Sequence, residues 1–254
     1  MGKIISLHSF RGGTGKSNIT ASLAVLLASE GRRIGIIDTD IQSPGIHVIF
    51  GLKEQDIKHS LNEYLWGICS IEDAAHDVTA ILGRNGVNSD QAKIMLIPSS
   101  MKTGEIARIL REGSDVDMLR DGIRHLVKAL NLDFLFIDTH PGLNEETLLS
   151  IATSDVLIVI MRPDQQDYQG TRITVEVARK LRVPKMMILV NKTPRIFEPS
   201  EVAKEVAQTY DCEVTGVLPY AEEMMNLGSA TAFVLRYPDH PITMKLKTIA
   251  ATLS

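Results

Sequence analysis

Phe10-Arg11-Gly12-Gly13-Thr14-Gly15-Lys16-Ser17 follows the apolar run Ile4, Ile5, Leu7 and precedes a helical pattern. Strand, glycine-rich turn and helix in that succession are the layout of a phosphate-binding loop. Several backbone N–H groups must converge on a polyphosphate, and only residues without side chains permit so close an approach. Gly12, Gly13 and Gly15 meet that need, with Thr14 between them. A helix beginning near Lys16 adds the positive end of its dipole, the Lys16 ammonium a charge for the outer phosphates, and the Ser17 hydroxyl a ligand for Mg²⁺. Asn18 completes the loop's nucleotide-binding candidates. Together they predict a bound nucleoside triphosphate.

Outward from this loop, apolar β-branched runs recur at Ile4 to Leu7, Ile34 to Ile37, Ile94 to Ile97, Phe134 to Ile137, Val156 to Ile160, Met186 to Val190 and Val214 to Leu218. Runs with no polar alternation predict strands covered on both faces, as in a parallel sheet between helices. Helical patterns fall between them, over 17–29, 117–130, 145–152, 169–181, 200–209 and 242–253. The alternation predicts one α/β domain over residues 1–254, a doubly wound, mostly parallel sheet with helices on both faces and its ligand at the carboxyl ends of the strands. The least regular region is 39–92, where Leu61, Tyr64, Leu65 and Trp66 suggest a short helix and Gly83-Arg84-Asn85-Gly86 a turn. That excursion either carries partner contacts or simply covers the core.

The chain of 254 residues is 44% hydrophobic and 23% charged with a net charge of −4, which fits a globular protein with no global pull toward nucleic acid or acidic membranes. Cys69 and Cys212 stand far apart in sequence and form no Cys-x-x-Cys pair, so a cytoplasmic setting is expected and metal-cluster ligands are missing. Met1 to Ser6 reads as the start of a strand, not a signal peptide. No stretch approaches the roughly 20 apolar residues of a membrane span.

Two further strands end in acids. Ile36-Ile37-Asp38-Thr39-Asp40 places two carboxylates beside the expected phosphates, where only a cation between them relieves their repulsion. Phe134 to Asp138 is an apolar strand closing on a carboxylate that would hold Mg²⁺ beside Ser17, and Thr139-His140-Pro141-Gly142 follows it. Val190-Asn191-Lys192 and Leu218-Pro219-Tyr220 close two more.

An ordinary phosphate loop carries Gly where this chain has Phe10, whereas the deviant pattern Lys-Gly-Gly-x-Gly-Lys-Ser/Thr fits with Arg11 in place of its first Lys. On these motifs, spanning Lys3 to about Pro241, the chain resembles the ParA/MinD family of dimerising ATPases. The resemblance implies ATP, ADP and Mg²⁺ as ligands and a homodimer closed around ATP, with Arg11 reaching the partner subunit's phosphates. Arg keeps the charge of Lys but not its geometry. It further implies that Asp40 orients the attacking water, that Asp38 lies near the metal with Ser17 and Asp138, and that the Gly142 N–H answers the γ-phosphate. Asn191 would bind the base, with Pro219 and Tyr220 on the base's other face. His140 stands where many relatives have Pro and reads as a turn residue in preference to a general base. Pro194, three residues after Asn191, replaces the acid that guanine recognition requires.

A slow ATPase switch of this kind works with a stimulating protein partner and positions a cargo on nucleoid DNA or membrane. Arg172, Arg179, Lys180, Arg182, Lys185, Lys192, Arg195 and Lys204 outnumber Glu176, Glu198 and Glu201 between residues 170 and 204. They form either a DNA-binding surface or ordinary solvated cations. Ile242, Leu246, Ile249 and Leu253 have helical spacing, and the short stretch without aromatic residues favours packing on the domain over binding a membrane. The same fold also accommodates an ATP-dependent ligase or amidotransferase, or a nucleotide-bound scaffold that scarcely hydrolyses.

Overall fold

Each apolar run becomes a strand: β1 (Lys3–His8), β2 (Arg33–Asp38), β4 (Lys93–Ile97), β5 (Phe134–Asp138), β6 (Val156–Met161), β7 (Lys185–Thr193) and β8 (Glu213–Pro219), with a two-residue β3 (His76–Asp77) that the sequence does not announce. These are features of a computed structural model, which describes residues 2–83, 91–113 and 115–254. The turn expected at Gly83 to Gly86 lies outside the described residues from Arg84 onward. One sheet runs in the order β3-β4-β2-β5-β1-β6-β7-β8, parallel throughout except for β3 against β4. The loops after β1, β2, β5, β7 and β8 therefore share one edge.

Helices cover both faces. Against one face lie α1 (Lys16–Ser29), α2 (Ile46–Ile49), α11 (Phe233–Arg236) and α12 (Pro241–Leu253), in a continuous cluster with Leu7, Ile34, Ile36, Phe136 and Ile158. The other face carries two separate clusters. In the first, α3 (Leu61–Leu65), α5 (Thr103–Glu112) and α6 (Val116–Ala129) pack on Ile37, Leu135 and Ile137. In the second, α8 (Gln165–Lys180) and α9 (Pro199–Tyr210) pack on Leu157, Val159, Ile188 and Val190. Neighbouring residues such as Ile36 and Ile37 enter opposite clusters, as the two-residue strand period requires.

Between those two clusters lies α7 (Glu145–Thr153), and buried serines fill the gap. The Ser6 hydroxyl donates to the Ser150 carbonyl at 3.1 Å, and Ser154 Oγ lies 2.6 Å from Ser6 Oγ and 2.7 Å from that carbonyl. The remaining helices are α4 (Ala80–Gly83) and α10 (Glu222–Leu227). Ile242, Leu246, Ile249 and Leu253 of α12 are all buried, so this helix docks on the domain as its short apolar stripe suggests. Among the described residues, no helix is long and apolar enough to cross a membrane.

Candidate functional site

The phosphate loop joins β1 to α1. Gly15 caps the helix with φ 98° and no side-chain capping bond, and α1 has no acid in its first turn. The helix therefore presents free N–H groups and an uncompensated positive end, which an anion satisfies. Gly15 is required twice, because a Cβ would also meet Asn191 Nδ2 at 2.7 Å. Phe10, the unexpected residue in the loop, packs its ring on Gly170 of α8, where any side chain would collide with it. Here an aromatic anchor occupies the usual glycine position.

A cleft of about 370 Å³ opens over this turn, lined by Gly12, Gly13, Gly15, Lys16, Ser17, Asn18, Asp40, Ser43, His140 and Pro141 among others. It shares Gly15, Asn18 and Ser229 with a second cleft of about 290 Å³, lined further by Asn191, Lys192, Pro219, Tyr220, Met224 and Met225. One polar and one more apolar compartment thus meet at the loop, the shape that phosphates and a base require. The buried Thr14 Oγ1 and Asn18 Oδ1 have no hydrogen-bond partner among the described residues.

Strand register pairs Asp38 with Asp138 at the ends of β2 and β5. Asp38 is buried and accepts from the N–H groups of Asp40 at 3.0 Å and Gly45 at 3.3 Å. Burial, then the charge of Asp138, holds its carboxyl well above the usual range. Burial likewise pushes Asp138 up to about 6, although Lys16 and a hydrogen bond from Ser17 oppose the rise. Two buried carboxylates beside a hydroxyl, short of positive charge, fit a hard divalent cation with oxygen ligands. Ser17 and Asp138 are the side chains that would hold Mg²⁺. Asp38 is bonded to the backbone N–H groups of Asp40 and Gly45 and would contribute to such a site through its charge.

Asp40 faces the cleft and receives N–H groups from two sides, His140 Nδ1 at 2.7 Å and the Ser43 backbone at 3.0 Å. His140 is thus more than the turn residue its position suggests, because its ring joins the loop after β5 to the loop after β2. Gly142, with φ 89°, donates its N–H to the Ser9 carbonyl at 3.3 Å. The side chain of Asn191 donates to the Thr14 carbonyl at 2.7 Å, which leaves only the rest of its amide for a base. Pro219 and Tyr220 line the second cleft.

The Arg11 guanidinium hydrogen-bonds Gln166 and stands 3.9 Å from both Asp164 and Asp167 at the start of α8. The cations of 170–204 do not share one face. Arg182 and Lys185 sit at the amino end of β7, whereas Lys192 lies at its carboxyl end and Arg195 just beyond it. Several are also engaged internally: Arg172 with Glu176, Arg179 with the carbonyls of Tyr210 and Asp211, and Lys192 with the Gly13 carbonyl.

Sequence reasoning counted Lys192 only among the 170–204 cations, and it missed His8, which is buried at the end of β1 with Nδ1 2.8 Å from Thr139 Oγ1. Only adjacency to Asn191 and to the loop could have singled them out. The two cysteines lie apart, Cys69 against the α3/α6 cluster and Cys212 against the α8/α9 cluster. Burial raises both thiols.

Comparison with known proteins agrees with this geometry. A ParA family model, described as NUBPL iron-transfer P-loop NTPase, matches residues 1–254. An uncharacterised ATP-binding protein of Methanocaldococcus jannaschii is 28% identical over 98% of this chain and 86% of its own length. An iron-sulfur cluster carrier protein of Pseudomonas fragi is 27% identical over 98% of the chain and 84% of its own length. In fold, the chain matches the septum site-determining protein MinD of Pyrococcus horikoshii, solved with Mg-ADP, with a TM-score of 0.80 at 21% identity, covering 100% of this chain and 96% of that one. The deviant loop, the paired acids at the ends of β2 and β5, and a match along the whole chain lead to one conclusion: the chain belongs to the ParA family of P-loop NTPases.

Proposed function

We propose that the chain is an ATP-dependent switch that dimerises around MgATP, hydrolyses it slowly when a protein partner prompts it, and positions a cargo according to its nucleotide state. The observation that carries this reading is the 2.7 Å bond between His140 and Asp40, which ties the loops after β2 and β5 together over the phosphate cleft. Asp40 is held where it can orient a water, and loss of a terminal phosphate beneath it would be felt by both loops at once. Ser17 and Asp138 would hold Mg²⁺, whose chemistry there would be to neutralise charge on the phosphates. Lys16 supplies the protein's own charge at the same end, and Arg11 would leave Asp164 and Gln166 to meet the partner subunit's nucleotide.

The cargo named for the Pseudomonas fragi relative, an iron–sulfur cluster, is held by thiolates. Cys69 and Cys212, in separate apolar clusters with raised thiols, supply no such pair within one chain. The division of the 170–204 cations between opposite ends of the sheet likewise favours a protein partner over a single DNA-binding face. Docking of α12 buries Ile242, Leu246, Ile249 and Leu253, so this helix does not offer its apolar stripe to a membrane.

The test is size measurement by light scattering with MgATP or MgADP, together with phosphate release. Asp40→Ala is expected to bind MgATP, accumulate as a dimer and lose turnover by about 100-fold, the scale of a misplaced reacting group. Normal turnover in that variant would overturn the assignment of Asp40.

A further inference from the structure

At the carboxyl end of β7 the pairing with β8 slips between Val190 and Thr193, and within that slip Lys192 has φ 56°. A left-handed backbone is disfavoured at an L-residue other than glycine. In a regular strand, neighbours point to opposite faces, so Asn191 and Lys192 would not reach a common target. The irregularity re-aims them, as strand bulges do. Asn191 Nδ2 donates to the Thr14 carbonyl and Lys192 Nζ to the Gly13 carbonyl, each at 2.7 Å. One strand end therefore grips two successive carbonyls of the phosphate loop.

A trans peptide directs its C=O and the following N–H oppositely. With the Gly13 and Thr14 carbonyls drawn toward β7, the N–H groups of Thr14 and Gly15 face away from it, on the side of the cleft lined by Gly13, Gly15 and Lys16. Neither N–H donates to another group among the described residues. We propose that Lys192 is a positioning residue of the phosphate loop. By holding the Gly13 carbonyl while Asn191 holds that of Thr14, it presets two adjacent N–H donors for a polyphosphate. Its ammonium is committed to a carbonyl, and the phosphates feel it through the orientation of the loop. Burial, and then the charge of Arg162, lower the proton affinity of this ammonium, so the contact holds against an adverse environment. The proposal rests on the nucleotide reading above and adds a residue to it.

Lys192→Met keeps the apolar stem and removes the donor, while Lys192→Gly also relieves the left-handed backbone. Calorimetric titration with MgADP and with adenosine separates phosphate from base. Both variants are expected to lose about tenfold in MgADP affinity, the scale of one charged hydrogen bond, and to lose less in adenosine affinity, since Lys192 also lines the second cleft. In amide spectra, the downfield shift of the Thr14 and Gly15 protons on adding MgADP shrinks in both variants, a change that loss of packing alone would not single out. Undiminished MgADP affinity, or equal loss for MgADP and adenosine, overturns the proposal. Failure of the unaltered protein to bind either ligand would overturn the nucleotide reading itself.

Discussion

At the scale of single residues, the site's least expected member is His8. Its Nε2 has no hydrogen-bond partner among the described residues, and burial, then the nearby Lys16 ammonium, bring its pKa from 6.5 down to about 3. The folded state thus holds this ring neutral while the unfolded chain takes up a proton below about 6.5. Between those two values the unfolded state binds more protons, so stability rises with pH through the window and falls as the solution is acidified. The raised carboxyls of Asp38 and Asp138 act in the opposite sense over the same range, so the contribution of His8 is read as a difference: in thermal melts between pH 7 and pH 5, His8→Gln is expected to lose about one proton's worth of upward slope relative to the unaltered protein. An unchanged slope would mean that other groups carry it. The loop glycines, Lys16, Ser17 and the strand-ending acids were legible because phosphate and metal chemistry dictates residue type at fixed spacing. The Asp40–His140 bond and the turned-back Lys192 were not, since each depends on where two distant loops meet and on a backbone angle that no residue type announces.

Among the elements, the parallel strands and most long helices were legible from apolar periodicity, and the exceptions have physical causes. Only Ile109 of α5 is buried, so that helix has little apolar stripe to read. The first turn of α8 is polar, and its start is set by Asp164 accepting from the Asp167 N–H at 3.0 Å, a capping signal more than a hydrophobic one. β3 is two residues long and exists only through its pairing with β4. The terminal α12 is where burial decides function, because its apolar residues are already in contact with α1 and β8. Leu246 is fully buried there, and Leu246→Ala is expected to lower stability by about 2–5 kcal/mol in denaturant titration. The same variant should leave sedimentation with acidic liposomes unchanged from the unaltered protein, which is expected to show none.

Over the whole molecule, the two faces of the sheet are built differently. One face is a continuous apolar layer from α2 to α12. The other is interrupted where Ser6, Ser150 and Ser154 replace interlocking side chains by a few directional bonds. On one side of that interruption stand β2 and β5 with Asp40, Asp138 and His140, and on the other stand β7 and β8 with Asn191, Lys192 and Tyr220. The sequence contains these serines but gives no sign that they meet, because residues 6 and 150 are brought together only by β1 and α7. Amide hydrogen exchange is expected to be faster in α7, resting on the serines, than in α1, sealed in the continuous layer. Equal protection of the two would contradict this division. A ligand whose base lies on one plate and whose outer phosphates lie on the other then serves as a rivet across a crack. Filling the site should quiet motion on both sides of it, and clipping the last phosphate should loosen one side first.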